Sequence, residues 1–385
     1  MCLKVKGEFG MRFIHLSDLH IGKSVKEFSM MEDLKYMFGK VYELIDKEMP
    51  DAILVAGDIY DKSVPSAEAV RLLDDFIATL SRKKVKTFII SGNHDCAERI
   101  AFGGRVMRDS DIYISPVYDG RVTPITMEDE FGEINVYMLP FIKPAHVKRF
   151  FGEEEITSYT DAISVAVKNM DIDRSKRNII LAHQFVTGAV RCESEEVSVG
   201  GLDNVDASVF DEFDYVALGH IHSPQSIGRK EVRYCGTLLK YSFSEADGYK
   251  SITVVDMGAK GDVKITEIPI KPLRDMVKIR GTFDQVISKE FSESIGKEDY
   301  VKVTLTDEEE IMDGISRLRT VYKNIMELEY DNKRTRQDSQ GLIGTTIDNK
   351  SQIELFKEFY EQMNNQEMSK QQIDFSTELM EKIWE

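Results

Sequence analysis

Residues 12–20 read Arg-Phe-Ile-His-Leu-Ser-Asp-Leu-His, a short apolar run that stops on Asp18 and His20, two residue types that hold metals. The same grammar returns four times. Ala52–Ala56 leads into Gly57-Asp58-Ile59-Tyr60-Asp61, Thr87–Ser91 into Gly92-Asn93-His94-Asp95, Asn178–Ala182 into His183-Gln184, and Tyr215–Leu218 into Gly219-His220-Ile221-His222. Ile134–Leu139 adds a sixth apolar run. Such runs are mostly continuous rather than alternating, which suits strands buried on both faces. Between them Phe28, Met31, Leu34, Phe38, Val41 and Ile45 recur at helical spacing, as do Val70, Leu73, Ile77 and Leu80 after a Ser63/Pro65 start signal. Strands alternating with helices predict an α/β fold, in which sites form at the carboxyl ends of strands.

Five of the seven histidines fall in these strand-end segments, leaving His15 and His146 outside. Taken singly each segment is weak, since an Asp after a strand is usually a turn or a helix cap. Together two Asp, one Asn and four His make a mixed oxygen and nitrogen set sized for two cations, with one carboxylate able to serve both. Two cations roughly 3.5–4 Å apart polarise a phosphoryl group and stabilise the leaving oxygen, which is what phosphoester hydrolysis requires. The set lacks a thiolate, so hard or borderline cations fit it. No Ser/His/Asp arrangement or Gly-rich phosphate loop competes.

With 385 residues the chain has room for two or three domains, and 42% hydrophobic against 30% charged residues is a globular composition. No apolar run approaches a membrane span, and the N-terminus lacks a signal-peptide core, so a cytoplasmic location is expected. Cys2, Cys96, Cys192 and Cys235 are far apart and read as free thiols. The net charge of −17 speaks against a generic nucleic-acid coat, which needs a basic surface. Past Gly236 the texture changes to extended stretches, Leu238–Phe243 and Ser251–Asp256, and Lys271-Pro272 marks a boundary. Beyond it 278–283 and 300–305 resemble strands and Ile311–Tyr322 a helix, giving a small β/α lobe over 271–330. Residues 331–350 are polar and without period, as in a linker, and 351–385 carry one or two amphipathic helices suited to docking on a partner. The first strand begins beside Met11, so residues 1–10 are expected to be an extension or arm.

The ordered blocks DxH, GDxxD, GNHD, a lone His and GHxH resemble the signature of the calcineurin-like metallophosphoesterase superfamily. IHLSDLHIGK, GDIYDKSVPS and above all GTLLKYSFSEADGYKSITVVD after the last block narrow the resemblance to the SbcD family, nuclease subunits of bacterial SbcCD complexes and relatives of the meiotic-recombination nuclease. No motif is recognisable after 331. The resemblance implies a β-sandwich flanked by helices over 11–270, a small α+β capping domain over 271–330 and partner-docking C-terminal helices. It implies one metal on Asp18, His20, Asp58 and His222 and a second on Asp58, Asn93, His183 and His220, with Asp58 shared and manganese the usual ion. His94 would act on the phosphate and the departing oxygen, Asp95 would orient a ligand histidine, and Asp61 stands beside the ligands where some members carry His. Implied too are cleavage of double-stranded DNA from its ends and of single-stranded DNA internally, in repair and recombination. The implied partners are the SbcC ATPase and, through helices near 65–82 and 97–108, a second copy. Arg99, Arg105 and Arg108 follow the GNHD loop and are candidates for the DNA backbone. Two divalent cations would bring +4 against −2 from Asp18 and Asp58, so the cleft can be positive inside an acidic chain. A small-molecule phosphodiesterase or nucleotidase on the same site is the alternative; it accounts for the charge but not for the cap and tail.

Overall fold

The computed structural model describes residues 10–195, 203–333, 335, 352–364 and 366–384. Two compact units make up the chain, Met1–Asp275 and Met276–Glu385. In the first, the apolar runs pair into two six-stranded sheets. One runs in the order Val263–Ile270, Lys250–Met257, Met11–Leu16, Ala52–Ala56, Lys86–Ile90, Ile112–Ile114. Its last four strands are parallel, and Lys250–Met257 closes antiparallel onto Met11–Leu16. The other runs Gln225–Ser226, Val232–Tyr234, Tyr215–Gly219, Arg177–His183, Gly132–Met138, Ile125–Asp129, with four parallel strands in its middle. Phe13, Leu54, Phe88, Val136, Ile179, Leu181, Ala217 and Val255 fill one core shared by both sheets. That makes a sandwich, and it explains why the central strands show no alternation: each has a second apolar layer outside.

Those outer layers are helical. Met31–Glu48 buries Leu34, Phe38, Val41 and Ile45 as its spacing predicts, and Phe38 stacks at 4.3 Å on Phe76 of Ala67–Arg82. The second helix starts on Ser66, whose hydroxyl accepts from the Ala69 amide, and buries Ala69, Leu72, Phe76 and Leu80. The buried stripe therefore lies one residue before Val70, Leu73 and Ile77, and Val70 is exposed. Tyr159–Lys168 covers the outer face of the second sheet with Ile163 and Ala166 against Leu139, Ile180, Val216 and Leu218. The stretch 97–108 is not one helix: Gly103, at φ 76°, separates Ala97–Ile100 from Gly104–Met107. Leu238–Phe243 is not a strand but a loop that ends in a 3-10 turn, Phe243–Glu245.

The second unit carries a parallel sheet of Met276–Gly281, Tyr300–Leu305 and Asn324–Tyr330 around Ile279, Val301, Val303, Leu305, Leu318 and Ile325. Short helices Phe283–Ile287 and Lys289–Ser292 follow the first strand, and the helix expected over Ile311–Tyr322 covers only Gly314–Arg319, because Asp313 at positive φ starts it late. Helices Gln352–Asn364 and Lys370–Trp384 form the tail, with Phe359, Met363, Phe375 and Leu379 exposed. The expected arm lies outside the described residues except for Gly10, as does the linker except for 331–333 and 335. Among the described residues no helix is long and apolar enough to cross a membrane.

Arg177 ties the sandwich. Its guanidinium pairs with Asp129 and donates to the carbonyls of Gly132 at 2.6 Å and of Gly258 at 2.9 Å, beside the end of a first-sheet strand. Arg177→Met leaves the Asp129 carboxylate buried without its cation. A loss of about 3–5 kcal/mol, read as a lower urea midpoint, is the expected outcome.

Candidate metal centre

All seven expected donors sit where parallel strands of the two sheets end. Asp18, His20, Asp58 and Asn93 follow strands of the first sheet; His183 closes and His220 and His222 follow strands of the second. The turns that deliver them are strained, with positive φ at Asp18 (52°), His20 (44°), Asp58 (48°) and His220 (100°). Each such residue costs of order 1–3 kcal/mol and persists only if its surroundings over-determine it. Here the Asp18 amide donates to the Gly57 carbonyl and the His20 amide to the Asp58 carbonyl, both at 3.0 Å, and the His220 amide reaches the Asp18 carboxylate at 3.0 and 3.1 Å. Two glycines give room for this crossing. A Cβ on Gly92 would overlap the Asp58 side chain and amide, and one on Gly219 would overlap the Ala56 carbonyl and the His183 ring.

The ring and carboxylate atoms converge on Asp58. Its Oδ2 lies 3.4 Å from His183 Nε2 and 3.8 Å from both His20 Nε2 and His94 Nε2. Asn93 Oδ1 is 2.9 Å from His183 Nε2 and from His220 Nδ1, and His20 Nε2 is 3.1 Å from His222 Nε2. Ligand atoms of Asp18, His20 and His222 form one tight group, those of Asp18, Asp58 and His183 another, and those of His20, Asp58 and His94 a third. His183 Nδ1 meets the Ala56 carbonyl at 2.8 Å, so it carries the proton and turns Nε2 inward.

The electrostatics fit cations. Burial holds His20 and His222 well below the usual imidazole value and His220 at about 3, leaving neutral donors. Burial also opposes charge on His183, but Asp58 and Asp18 outweigh it and raise that ring to about 9. Asp58 lies well below the carboxylate range, its desolvation overcome by His183, whereas burial lifts Asp18 to about 7. Two buried carboxylates thus have one imidazolium between them, and the Nε2 atoms of the neutral His20 and His222 rings meet at 3.1 Å. Among the described residues the buried His220 Nε2 and His20 Nδ1 have no hydrogen-bond partner. A set of imidazole, carboxylate and amide donors so arranged suits divalent cations.

His94 presents Nε2 to this cluster because its Nδ1 is engaged at 2.9 Å by the Asp61 carbonyl, while its amide donates to Asp58 Oδ1. Asp61 contributes its backbone here, and its carboxylate pairs with Lys23 at 2.8 Å. Asp95 differs from expectation. Rather than a histidine ring, its oxygens take the amides of Ile59, Tyr60 and Gly92 at 2.9–3.0 Å, clamping the Asp58 loop to the Asn93 loop. Arg99, Arg105 and Arg108 are exposed, Arg99 donating to the Ser63 carbonyl. Tyr241, unassigned from sequence, packs edge-on against His20 and His222 at 5.5 and 5.9 Å between ring centres and donates to the Leu19 carbonyl at 2.9 Å. It lies in the loop that the sequence suggests is an extended strand, and its only sequence signal is family resemblance.

Sandwich and donor set together define a calcineurin-like phosphoesterase, and the model of that family matches residues 11–224, more than half of the chain. The SbcD C-terminal domain, described as the Type 5 capsule protein repressor C-terminal domain, matches 272–364, well past the last recognisable sequence motif. The SbcD subunit of the SbcCD nuclease of Staphylococcus epidermidis is 32% identical over 368 residues, covering 94% of this chain and 96% of that one. The chain belongs to the SbcD family of calcineurin-like phosphoesterases. A dimetal phosphatase from Danio rerio overlays with TM-score 0.40 at 10% identity, covering 68% of this chain and 98% of that one. An archaeal phosphodiesterase does so with 0.29 at 12%, covering 68% and 100%.

Gly219→Ala must push the Ala56 carbonyl and His183 apart. Displacements of that size cost about 100-fold in rate, so metal-dependent hydrolysis of a phosphodiester is expected to fall by that factor. Gly39→Ala, where an added methyl meets nothing, should hydrolyse as wild type.

Proposed function

We propose that the chain is the nuclease subunit of an SbcCD-type complex, cutting phosphodiester bonds of double-stranded DNA from its ends and of single-stranded DNA internally, in repair and recombination in the cytoplasm. The observation that carries the proposal is the inward Nε2 of His94, 3.8 Å from the Asp58 carboxylate on which the donors of both sheets converge. In this reading Asp18, His20, Asp58 and His222 hold one cation and Asp58, Asn93, His183 and His220 the other, with manganese as the ion. The two cations, when bound, supply Lewis-acid polarisation of the phosphate and neutralise the charge of the leaving oxygen.

The chain's own residues do the rest. The Asp61 carbonyl keeps the His94 proton on Nδ1 in the neutral ring; on protonation Nε2 becomes a donor aimed at the cluster, able to give its proton to the departing oxygen. Asp95 acts on the loops rather than on the substrate, and Arg99, Arg105 and Arg108 meet the DNA backbone. Exposed Val70, Phe102 and Val106 support contact with a second copy along 65–82 and 97–108, and exposed Phe359, Phe375 and Leu379 support docking of 351–385 on the SbcC ATPase.

Incubation of the chain with linear duplex and single-stranded DNA, with and without manganese, tests this. Degradation should require the ion, vanish in Asp58→Asn, and fall by about 10²–10⁴-fold in His94→Gln, whose metal content stays that of wild type. Hydrolysis of a small phosphodiester with no cleavage of DNA, even with SbcC present, would overturn the nuclease reading. Removing 351–385 should abolish co-purification with SbcC and spare metal-dependent hydrolysis.

A further inference from the structure

The stretch 236–256 carries much of the family resemblance but none of the seven donors. Its side chains gather behind His222. Ser194 Oγ lies 2.7 Å from His222 Nδ1 and 2.8 Å from Glu245 Oε1. Glu245 Oε2 lies 2.5 Å from Lys250 Nζ, and the two side chains are only 2% and 5% exposed. Glu245 Oε1 also takes the amides of Tyr241 and Ser242 at 3.1 Å. Lys250 donates further to the His222 carbonyl at 2.8 Å and to Thr237 Oγ1 at 2.7 Å. From the other side Glu195 Oε1 takes the His222 amide at 2.6 Å.

The proton count in this chain of contacts favours one arrangement. A buried carboxylate under an ammonium and two amides stays ionised and can only accept. The single hydroxyl proton of Ser194 therefore points to Glu245. Its lone pairs remain for His222, 2.7 Å away, and in this arrangement the ring donates from Nδ1. That leaves the Nε2 lone pair directed at His20 Nε2, 3.1 Å away, the two rings that would hold one cation together with Asp18 and Asp58. The opposite tautomer would set two acceptors against each other at 2.7 Å.

We infer that Ser194, Glu245 and Lys250 form a positioning relay that fixes the tautomer and ring plane of His222, and through it the occupancy of one half of the metal centre. None of the three touches the reacting atoms. The inference rests on the two-metal reading above, and the relay acts on the cation of Asp18, His20 and His222, leaving that of Asn93, His183 and His220 alone. It also accounts physically for 236–256, since the loop brings Glu245 to the ring and the strand after it brings Lys250 to Glu245.

The metal-free full chain, titrated with manganese alone by calorimetry and electron paramagnetic resonance, separates the possibilities. Wild type should bind two ions. Ser194→Ala, which leaves the Glu245–Lys250 pair intact and folding unaffected by circular dichroism, should keep one at wild-type affinity and bind the other about 10–100-fold more weakly. Ser194→Thr, which restores the hydroxyl, should recover the second. Nitrogen-15 shifts of His222 in the metal-free chain should report Nδ1–H in wild type and a tautomer mixture in Ser194→Ala. Unchanged binding in Ser194→Ala, equal weakening of both ions, or a threonine variant no better than alanine would overturn the relay while leaving the two-metal reading standing. A wild-type chain that binds fewer than two ions would overturn that reading and the relay with it.

Discussion

Asp18 and Asp58 are carboxylates with almost no access to water, and a buried negative charge survives only beside compensating charge or donors. That requirement organises the first unit. The imidazoles of His20, His183, His220 and His222 stand around these two side chains because strands from both sheets stop at the same level. The strained turns at Asp18, His20, Asp58 and His220 are the cost of bringing so many short side chains to one point. The absence of a Cβ at Gly92 and Gly219 follows from the same crowding, since each lies under a neighbouring loop's backbone or ring.

Much of this is legible in the chain. The central strands announce themselves because both of their faces are covered, so Ala52–Ala56 and Tyr215–Gly219 read as unbroken apolar runs. The donors can be read because each follows such a run directly. Strands with one wet face escape notice: Val263–Ile270 alternates polar with apolar residues and contains Pro269, and Asn324–Tyr330 carries Glu327 and Glu329. The stripe on the helix Ala67–Arg82 comes out one residue away from its place, because two apolar rows run side by side and spacing alone cannot say which faces the sheet. Asp95 suggests a histidine partner because it follows Asn93 and His94, yet three backbone amides from two loops meet it, and no local pattern encodes amides from 36 residues away. Tyr241 and Glu245 bear on His222 from a segment without periodicity and Lys250 from the first position of the strand after it, so only resemblance draws notice to them.

The acidity of the chain bears on the proposed substrate. At −17 the surface as a whole repels a polyanion, and attraction must be local. In the proposed function the metal centre, with the exposed arginines that follow Asn93, would offer such a spot, and divalent ions would serve recognition as well as chemistry. Affinity drawn from so small an area is short-ranged and salt-sensitive, which suits a subunit that takes its hold on a long polymer from a partner.

The strand Lys250–Met257 lies beside Met11–Leu16, the strand that carries the first two donors, and the donors themselves run from residue 18 to residue 222. During synthesis the first strand leaves the ribosome long before its neighbour exists. At ~5–20 residues per second, more than 200 further residues take on the order of ten to fifty seconds. Through that interval the nascent chain holds scattered histidines and carboxylates but no centre. Hydrolytic competence arrives late and all at once, when the last edge of the sandwich closes, so a ribosome that stalls midway releases an inert fragment rather than an unguarded nuclease.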